Sequence, residues 1–216
     1  MATLLHIDTS LNGDRSFSRQ VAAQFRQAWE AEHPDGQVVY RDLDANPLPH
    51  LRAAEYYAGL SDPAGHSPEE EAAFALRREL IEEAEGADAL LIGAPLYNYS
   101  IPSSLKSWID HVIAFGRTVG TEAPTLKGKP AVVVTSRGGG YGPGSPNEGR
   151  DYLQPYLEWI LGGSLGLDLE FIVPELTMAP VNPAMASLIP LHETSLSAAH
   201  EAAATKGKAL AGRLAA

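Results

Sequence analysis

Apolar residues along this chain fall into two kinds of run, and the two alternate. Thr3–Ile7, Gln37–Arg41, Leu90–Ile92, Pro130–Thr135 and Leu169–Val173 are short, continuous or β-branched runs. Runs of that kind read as strands covered on both faces. Between them the apolar positions take up helical spacing. Val21, Phe25, Ala28 and Trp29 mark a helix from about Ser18 to Glu32, stopped by Pro34 and Gly36. Leu105, Trp108, Ile109 and Val112 follow i, i+3, i+4, i+7, one stripe of a helix lying on the central strand. Tyr152–Leu161 places Leu153, Tyr156, Leu157, Ile160 and Leu161 on one face, and Ser195–Ala215 is an alanine-rich closing helix.

One helix declares its start. In Ser67-Pro68-Glu69-Glu70, Ser stands at the N-cap, Pro at the first helical position and Glu three residues after the cap, which is a capping box. Ala73, Leu76, Leu80 and Ala84 supply its expected apolar stripe. Two stretches have no period: Asp44–His66, with Pro47, Pro49 and Pro63, and Thr177–Pro190, with three prolines. The first is read as an irregular loop lying over the site edge, since long connections in compact domains tend to be functional.

Alternating strands and helices predict a doubly wound α/β domain with a parallel sheet and helices on both faces. Five strands suit the order 2-1-3-4-5, in which the loops after strands 1, 3 and 4 meet at a crevice beyond the strands' carboxyl ends. The candidate chemistry then lies in three loops. After strand 1, Asp8-Thr9-Ser10-Leu11-Asn12-Gly13-Asp14-Arg15-Ser16-Phe17-Ser18 offers hydroxyls, backbone N–H groups and a helix start to a phosphate. The alternative is that Ser16 or Ser18 is only an N-cap. After strand 3, Pro95-Leu96-Tyr97-Asn98-Tyr99 offers aromatics suited to a flat ring, or else to capping the core with paired hydroxyls. After strand 4, Ser136-Arg137-Gly138-Gly139-Gly140 allows φ > 0 and close backbone approach, or is a flexible turn.

Composition narrows the classes. A length of 216 residues with 44% apolar content suits one domain, 1–216. The absence of cysteine removes disulfides, thiolate nucleophiles and iron–sulfur ligation, so redox chemistry requires a bound cofactor. It also excludes a cysteine-dependent phosphatase, while Asp8 as a receiver-type phosphoacceptor fits poorly with a serine-rich loop. A formal charge of −11 argues against nucleic-acid or anionic-membrane partners. No run approaches the roughly 18 apolar residues of a membrane span, and no signal peptide is read near Leu4–Ile7, so the expected location is cytoplasmic. The seven histidines show no metal spacing and read mostly as surface or strand-end residues; His111 is a candidate support for the site from behind.

The segment Ala94-Pro95-Leu96-Tyr97-Asn98-Tyr99-Ser100-Ile101-Pro102-Ser103-Ser104-Leu105-Lys106-Ser107-Trp108-Ile109-Asp110 resembles the signature of the FMN-dependent NADH:quinone oxidoreductases and NADH-azoreductases, which have a flavodoxin-like fold. The resemblance runs from Leu4 to about Val173. It implies that Ser10, Ser16 and Ser18, with Phe17 between the last two, hold the FMN phosphate. It further implies that Pro95, Leu96, Tyr97, Asn98 and Tyr99 lie at the isoalloxazine, and that Ser136, Arg137, Gly138 and Gly139 form the third cofactor motif. It implies ping-pong hydride transfer from NADH or NADPH through FMN N5 to a quinone or azo acceptor, with no acid–base side chain, in a homodimer with the site between subunits. Leu96 stands where methionine is common, and the 116–128 and 177–190 stretches depart from the family's pattern. A flavodoxin-type electron carrier without an organic substrate is the alternative; direct oxidation of NADH separates the two. A flavin-free binding module is the third reading.

Overall fold

The computed structural model describes residues 1–61 and 65–214; Pro63 and Ala215, each part of a stretch read above, lie outside them. Five strands, β1 (Thr3–Asp8), β2 (Gln37–Asp42), β3 (Ala89–Gly93), β4 (Pro130–Val134) and β5 (Asp168–Ile172), form one sheet in the order β2-β1-β3-β4-β5. All four pairings are parallel. The helices are α1 (Phe17–Glu32), α2 (Ala53–Ala58), α3 (Pro68–Gly86), α4 (Ser103–Val112), α5 (Leu153–Leu157) and α6 (Ile189–Leu214). No helix among the described residues is long and apolar enough to cross a membrane.

The sheet divides the core by the two-residue alternation of its strands. Leu5, Ile7, Leu90, Ile92, Ala131 and Val133 face one cluster, with Leu80 and Ile81 of α3, Trp108 of α4 and Leu157 of α5. Leu4, Ala89, Leu91, Val132 and Val134 face the other, with Phe25 and Trp29 of α1 and Ala203 and Leu210 of α6. The unbroken apolar runs in β1 and β3 are therefore explained by burial on both faces.

Several sequence expectations are refined. The capping box at Ser67 is present, with Ser67 Oγ accepting from the Glu70 amide at 3.2 Å and the Glu70 carboxylate accepting from the Ser67 amide at 2.9 Å. The buried stripe of α3, however, is Phe74, Arg77, Leu80, Ile81 and Ala84, not one centred on Ala73 and Leu76. It turns because a charged residue, Arg77, occupies the inward face. The Asp44–His66 connection is not wholly irregular, since it contains α2. The Tyr152–Leu161 helix is α only to Leu157 and continues as a π-helix over Glu158–Ser164. The last helix starts at Ile189, six residues before the expected Ser195, after a 3-10 turn over Pro183–Leu188. Of the histidines, His192 departs from expectation in being buried on α6; His6 is buried within β1 and His111 on the inner face of α4.

Candidate functional site at the carboxyl edge of the sheet

The loops after β1, β3 and β4 meet where the strand order reverses. There they enclose a crevice of about 430 Å³ lined by Ser10, Asn12, Arg15, Ser16, Phe17, Pro95, Leu96, Tyr97, Ser136, Gly138, Thr177, Met178 and Val181. Its two ends differ chemically. One is made by the start of α1, where the amides of Phe17 and Ser18 have no acceptor among the described residues, as first-turn amides do not. Ser16 is the N-cap, accepting from the Arg19 amide at 3.3 Å, and its Oγ lies 3.0 Å from that of Ser18. The N-cap reading of Ser16 thus holds, and the same hydroxyl also lines the crevice. Ser18 is buried behind it.

The other end is a slot between Pro95–Tyr97 and the glycine run. Tyr97 ties the first two loops together: its hydroxyl lies 3.1 Å from Ser10 Oγ and accepts from the Leu11 amide at 3.1 Å. After it, Asn98 and Tyr99 have φ of 48° and 67°, and Tyr97 and Ser100 exchange backbone hydrogen bonds of 3.0 and 2.9 Å. This is a two-residue reversal with both central residues left-handed, a conformation that asparagine tolerates and tyrosine resists. Such strain collects at functional sites. Asn98→Ala is expected to cost about 1 kcal/mol of stability, because alanine lacks asparagine's tolerance of this region. Asn98→Gly is expected to fold as stably as the parent, with urea unfolding as the check, so that any flavin effect of Asn98→Gly reports the amide itself.

The glycine run works by close approach rather than by φ. Gly138, Gly139 and Gly140 are absent from the positive-φ glycines, correcting that part of the sequence reading. A Cβ on Gly138 would lie 2.9 Å from Met178 Cγ, and one on Gly139 2.7 Å from Asn147 Nδ2. The segment after β5 folds back over the run, its Thr177 and Met178 amides donating to the Arg137 and Gly138 carbonyls at 3.0 and 3.1 Å. The amides of Gly138 and Gly139 remain without acceptors among the described residues.

Not every expected residue reaches the crevice. The Arg137 guanidinium turns to Asp151, Gln154 and Glu175 at 2.5, 2.8 and 3.2 Å, bracing the loop instead of lining it. Gly139 sits behind the rim. Asn98 lines a second, larger cavity of about 800 Å³, together with His50, Ser100, Pro102, Lys106 and Tyr156, and Leu96 and Tyr97 form the wall between the two. Tyr99 lines neither cavity: its side chain is exposed, 6.5 Å from Tyr141 between ring centroids. His111 does support this region from behind: its Nε2 lies 2.9 Å from the Pro49 carbonyl, which also accepts from Ser107 Oγ at 3.0 Å, holding His50 at the cavity.

Sequence reasoning missed Asn12, Arg15, Thr177, Met178 and Val181. For Arg15 the signal was available, since it stands one residue before the N-cap of a phosphate-type loop. For Thr177–Val181 there was none, as only the fold brings that segment to the glycines. The early start of α6 matters here too. His192 in its first turn packs edge-on against Phe17, at 5.1 Å between centroids, and so backs the helix start that faces the crevice.

A five-stranded parallel sheet with the site at its switch point defines the flavodoxin-like class, and the family model described as "Flavodoxin-like fold" matches residues 2–186. Within that class the chain belongs to the family of FMN-dependent NADH:quinone oxidoreductases. It is 58% identical over 217 residues to the FMN-dependent NADH:quinone oxidoreductase of Streptomyces avermitilis, covering 100% of both chains. It is 58% identical over 215 residues to that of Streptomyces coelicolor, covering 99% of this chain and 97% of the relative. Among solved structures, the azoreductase from Bacillus anthracis str. Sterne superposes with a TM-score of 0.81 at 22% identity, over 96% of this chain and 99% of the other. The FMN-dependent NADH-azoreductase from Bacillus anthracis str. Ames Ancestor, solved with FMN, superposes at 0.76 and 20% identity, over 96% and 100%.

Proposed function

We propose that the protein is an FMN-dependent NADH:quinone oxidoreductase, also competent with azo compounds, whose cofactor occupies the 430 Å³ crevice. The observation that carries this reading is the polarity of that crevice: unpaired helix-start amides and serine hydroxyls at one end, a narrow slot beneath unpaired glycine amides at the other. The volume falls within the range of about 300–1,000 Å³ usual for small-ligand sites. When bound, FMN supplies hydride chemistry, accepting from NADH or NADPH and reducing the acceptor in alternation.

The protein's part is binding and orientation. Ser10, Ser16 and the amides of Phe17 and Ser18 hold the phosphate, with Ser18 Oγ fixing the Ser16 hydroxyl and Arg15 adding positive charge. Pro95, Leu96 and Tyr97 wall one side of the ring, and Ser136, Gly138 and Met178 the other. The Gly138 amide would donate to the ring, where a preorganised donor is worth most as negative charge develops. Asn98 presents the turn to the 800 Å³ cavity, which serves the nicotinamide and the acceptor in turn. Arg137 and Gly139 hold the third loop in shape rather than touch the ring.

The active form in this reading is a cytoplasmic homodimer. Support for the dimer is that the exposed side chains of Tyr56, Leu60 and Phe115 come together around one surface pocket, as apolar side chains at an interface do.

The test is an absorption spectrum of the protein loaded with FMN, taken before and after NADH under exclusion of oxygen, then after a quinone. The expected result is loss of the visible flavin bands with NADH and their full return with the quinone. Flavin binding without bleaching by NADH would instead mark an electron carrier, and no flavin binding would overturn the site.

A further inference from the structure

Beside the start of α1 lies a partly buried polar cluster that the flavin reading does not use. Arg19 of α1 grips Asp42 at the end of β2 with both terminal nitrogens, at 2.6 and 2.8 Å. Its Nη1 also donates to Tyr40 Oη at 3.1 Å, and Tyr40 donates to Asp8 Oδ2 at 3.0 Å. Asp8 Oδ2 is itself 3.8 Å from Arg19 Nη1 and 3.4 Å from His6 Nε2. The pairing is firm. The Arg19 hydrogen bond holds the Asp42 carboxyl down at about 2. Burial, followed by the Asp8 charge, pushes the Tyr40 phenol up to about 12, so it stays a donor. Arg19 does not line the 430 Å³ crevice; it opens onto a separate cleft with His6, Asp8 and Tyr40.

Arg19 nonetheless reaches both serines. Its Nη2 donates to the Ser10 carbonyl at 2.8 Å. Because a trans peptide points its C=O and N–H in opposite directions, that bond turns the Leu11 amide toward Tyr97 Oη, where it is met at 3.1 Å. The peptide after Ser10 is therefore clamped from both sides. At the other end of the same residue, the Arg19 amide donates to Ser16 Oγ. Charge adds to geometry: without the guanidinium, Asp8 and Asp42 would stand as unneutralised anions directly behind a bound phosphate.

We propose that the Arg19 side chain is the positioning group of the flavin-phosphate cradle, setting Ser10 through its carbonyl while neutralising Asp8 and Asp42, alongside a Ser16 cap that the backbone amide at position 19 supplies. The inference rests on the FMN reading above. Its weight falls on the phosphate end, where Ser10, Ser16 and the two aspartates lie; only the Leu11 amide's bond to Tyr97 Oη reaches the ring side of the crevice.

The test titrates FMN and riboflavin, which lacks the phosphate, into the flavin-stripped full-length chain and reads flavin fluorescence. The parent is expected to prefer FMN. Arg19→Met is expected to lose about tenfold or more in FMN affinity, the worth of a charge-assisted hydrogen bond, with a clearly smaller loss for riboflavin. Arg19→Lys keeps the charge, but one ammonium cannot reproduce the planar guanidinium's contacts with Ser10, Tyr40 and both Asp42 oxygens; an intermediate loss, again larger for FMN than for riboflavin, is expected. FMN affinity unchanged in either variant overturns the proposal, and so does an equal loss for both flavins, which would mean a structural role alone. If Arg19→Met does not fold, Arg19→Lys decides by the same criteria. A parent without preference for FMN over riboflavin would instead overturn the phosphate cradle on which the proposal stands.

Discussion

Arg77→Ala is expected to lower the unfolding free energy by about 3 kcal/mol, one of the two largest effects of a single change argued for this chain. Arg77 is 2% exposed, and its hydrogen-bond partners are backbone carbonyls: Glu55 at 2.8 Å from Nη1, His111 at 3.1 Å from Nε, and Ile113 at 2.5 Å from Nη2. Burying a cation without a carboxylate is costly, and that burial holds the guanidinium pKa below its ordinary value. The compensation comes from where the carbonyls lie. His111 and Ile113 stand at the carboxyl end of α4, whose dipole favours positive charge, and the Glu55 carbonyl belongs to α2. One side chain thus ties α2 to the end of α4. Three charge-assisted bonds, each worth about 1.5–3 kcal/mol, less the desolvation of the cation, leave a net of the size stated.

The prediction has two checks. In urea, the midpoint should fall with the slope unchanged, the mark of a stability change without a change in the unfolded surface. In native-state hydrogen exchange, amides of residues 53–60 should lose protection first, since the 44–60 connection is held by Arg77 and by the Pro49 carbonyl contacts alone of the charged and polar anchors described above. Unchanged protection there would mean that α2 is held by its apolar contacts. Gly59 tests the clamp from the opposite side: its Cβ would lie 2.0 Å from Arg77 Nη1, so nothing larger than glycine fits while the arginine holds its place.

Arg77 also shows what could be read from the sequence and what could not. The alternation of strands and helices was legible because parallel strands buried on both faces need unbroken apolar runs, and the capping box at Ser67 is a local signal with a local cause. The stripe of α3 was misplaced because an arginine is not counted among inward-facing residues; its partners lie 22 to 36 positions away, and no local pattern announces them. The start of α6 was placed too late because Thr177–Pro190 shows no helical period, although its last residues, Ile189 and Pro190, already form the helix's first turn, where proline is tolerated. At the site, Ser10, Ser16, Leu96, Tyr97 and Gly138 were legible as loop chemistry after strands. The glycine run was read as room for φ > 0 and for close approach of a ligand; that Met178 and Asn147 press on it is something only the fold reveals.

Gly207→Ala should destabilise the protein by about 2 kcal/mol, and Gly207→Val by about 3 or more, even though helix propensity alone favours alanine over glycine by about 1 kcal/mol. Gly207 lies in α6 where it crosses α1, and a Cβ there would stand 2.5 Å from the Phe25 carbonyl oxygen and 3.1 Å from Ala28 Cβ. The first of these neighbours is backbone within a helix and cannot swing aside, so the two helices must separate. Packing then outweighs propensity. Gly212, one to two turns further along the same helix, is the control: a Cβ there meets nothing within 4 Å, and Gly212→Ala should gain up to about 1 kcal/mol. Opposite signs for the two alanine variants in thermal or urea unfolding support close approach as the cause, and equal gains would refute it. The flavin site should be spared in the folded Gly207→Ala protein. The forced shift falls at Phe25–Ala28, whereas the start of α1 is held separately by the Arg19–Asp42 pair and the Ser16 cap, so FMN affinity should stay at the parental value while stability falls.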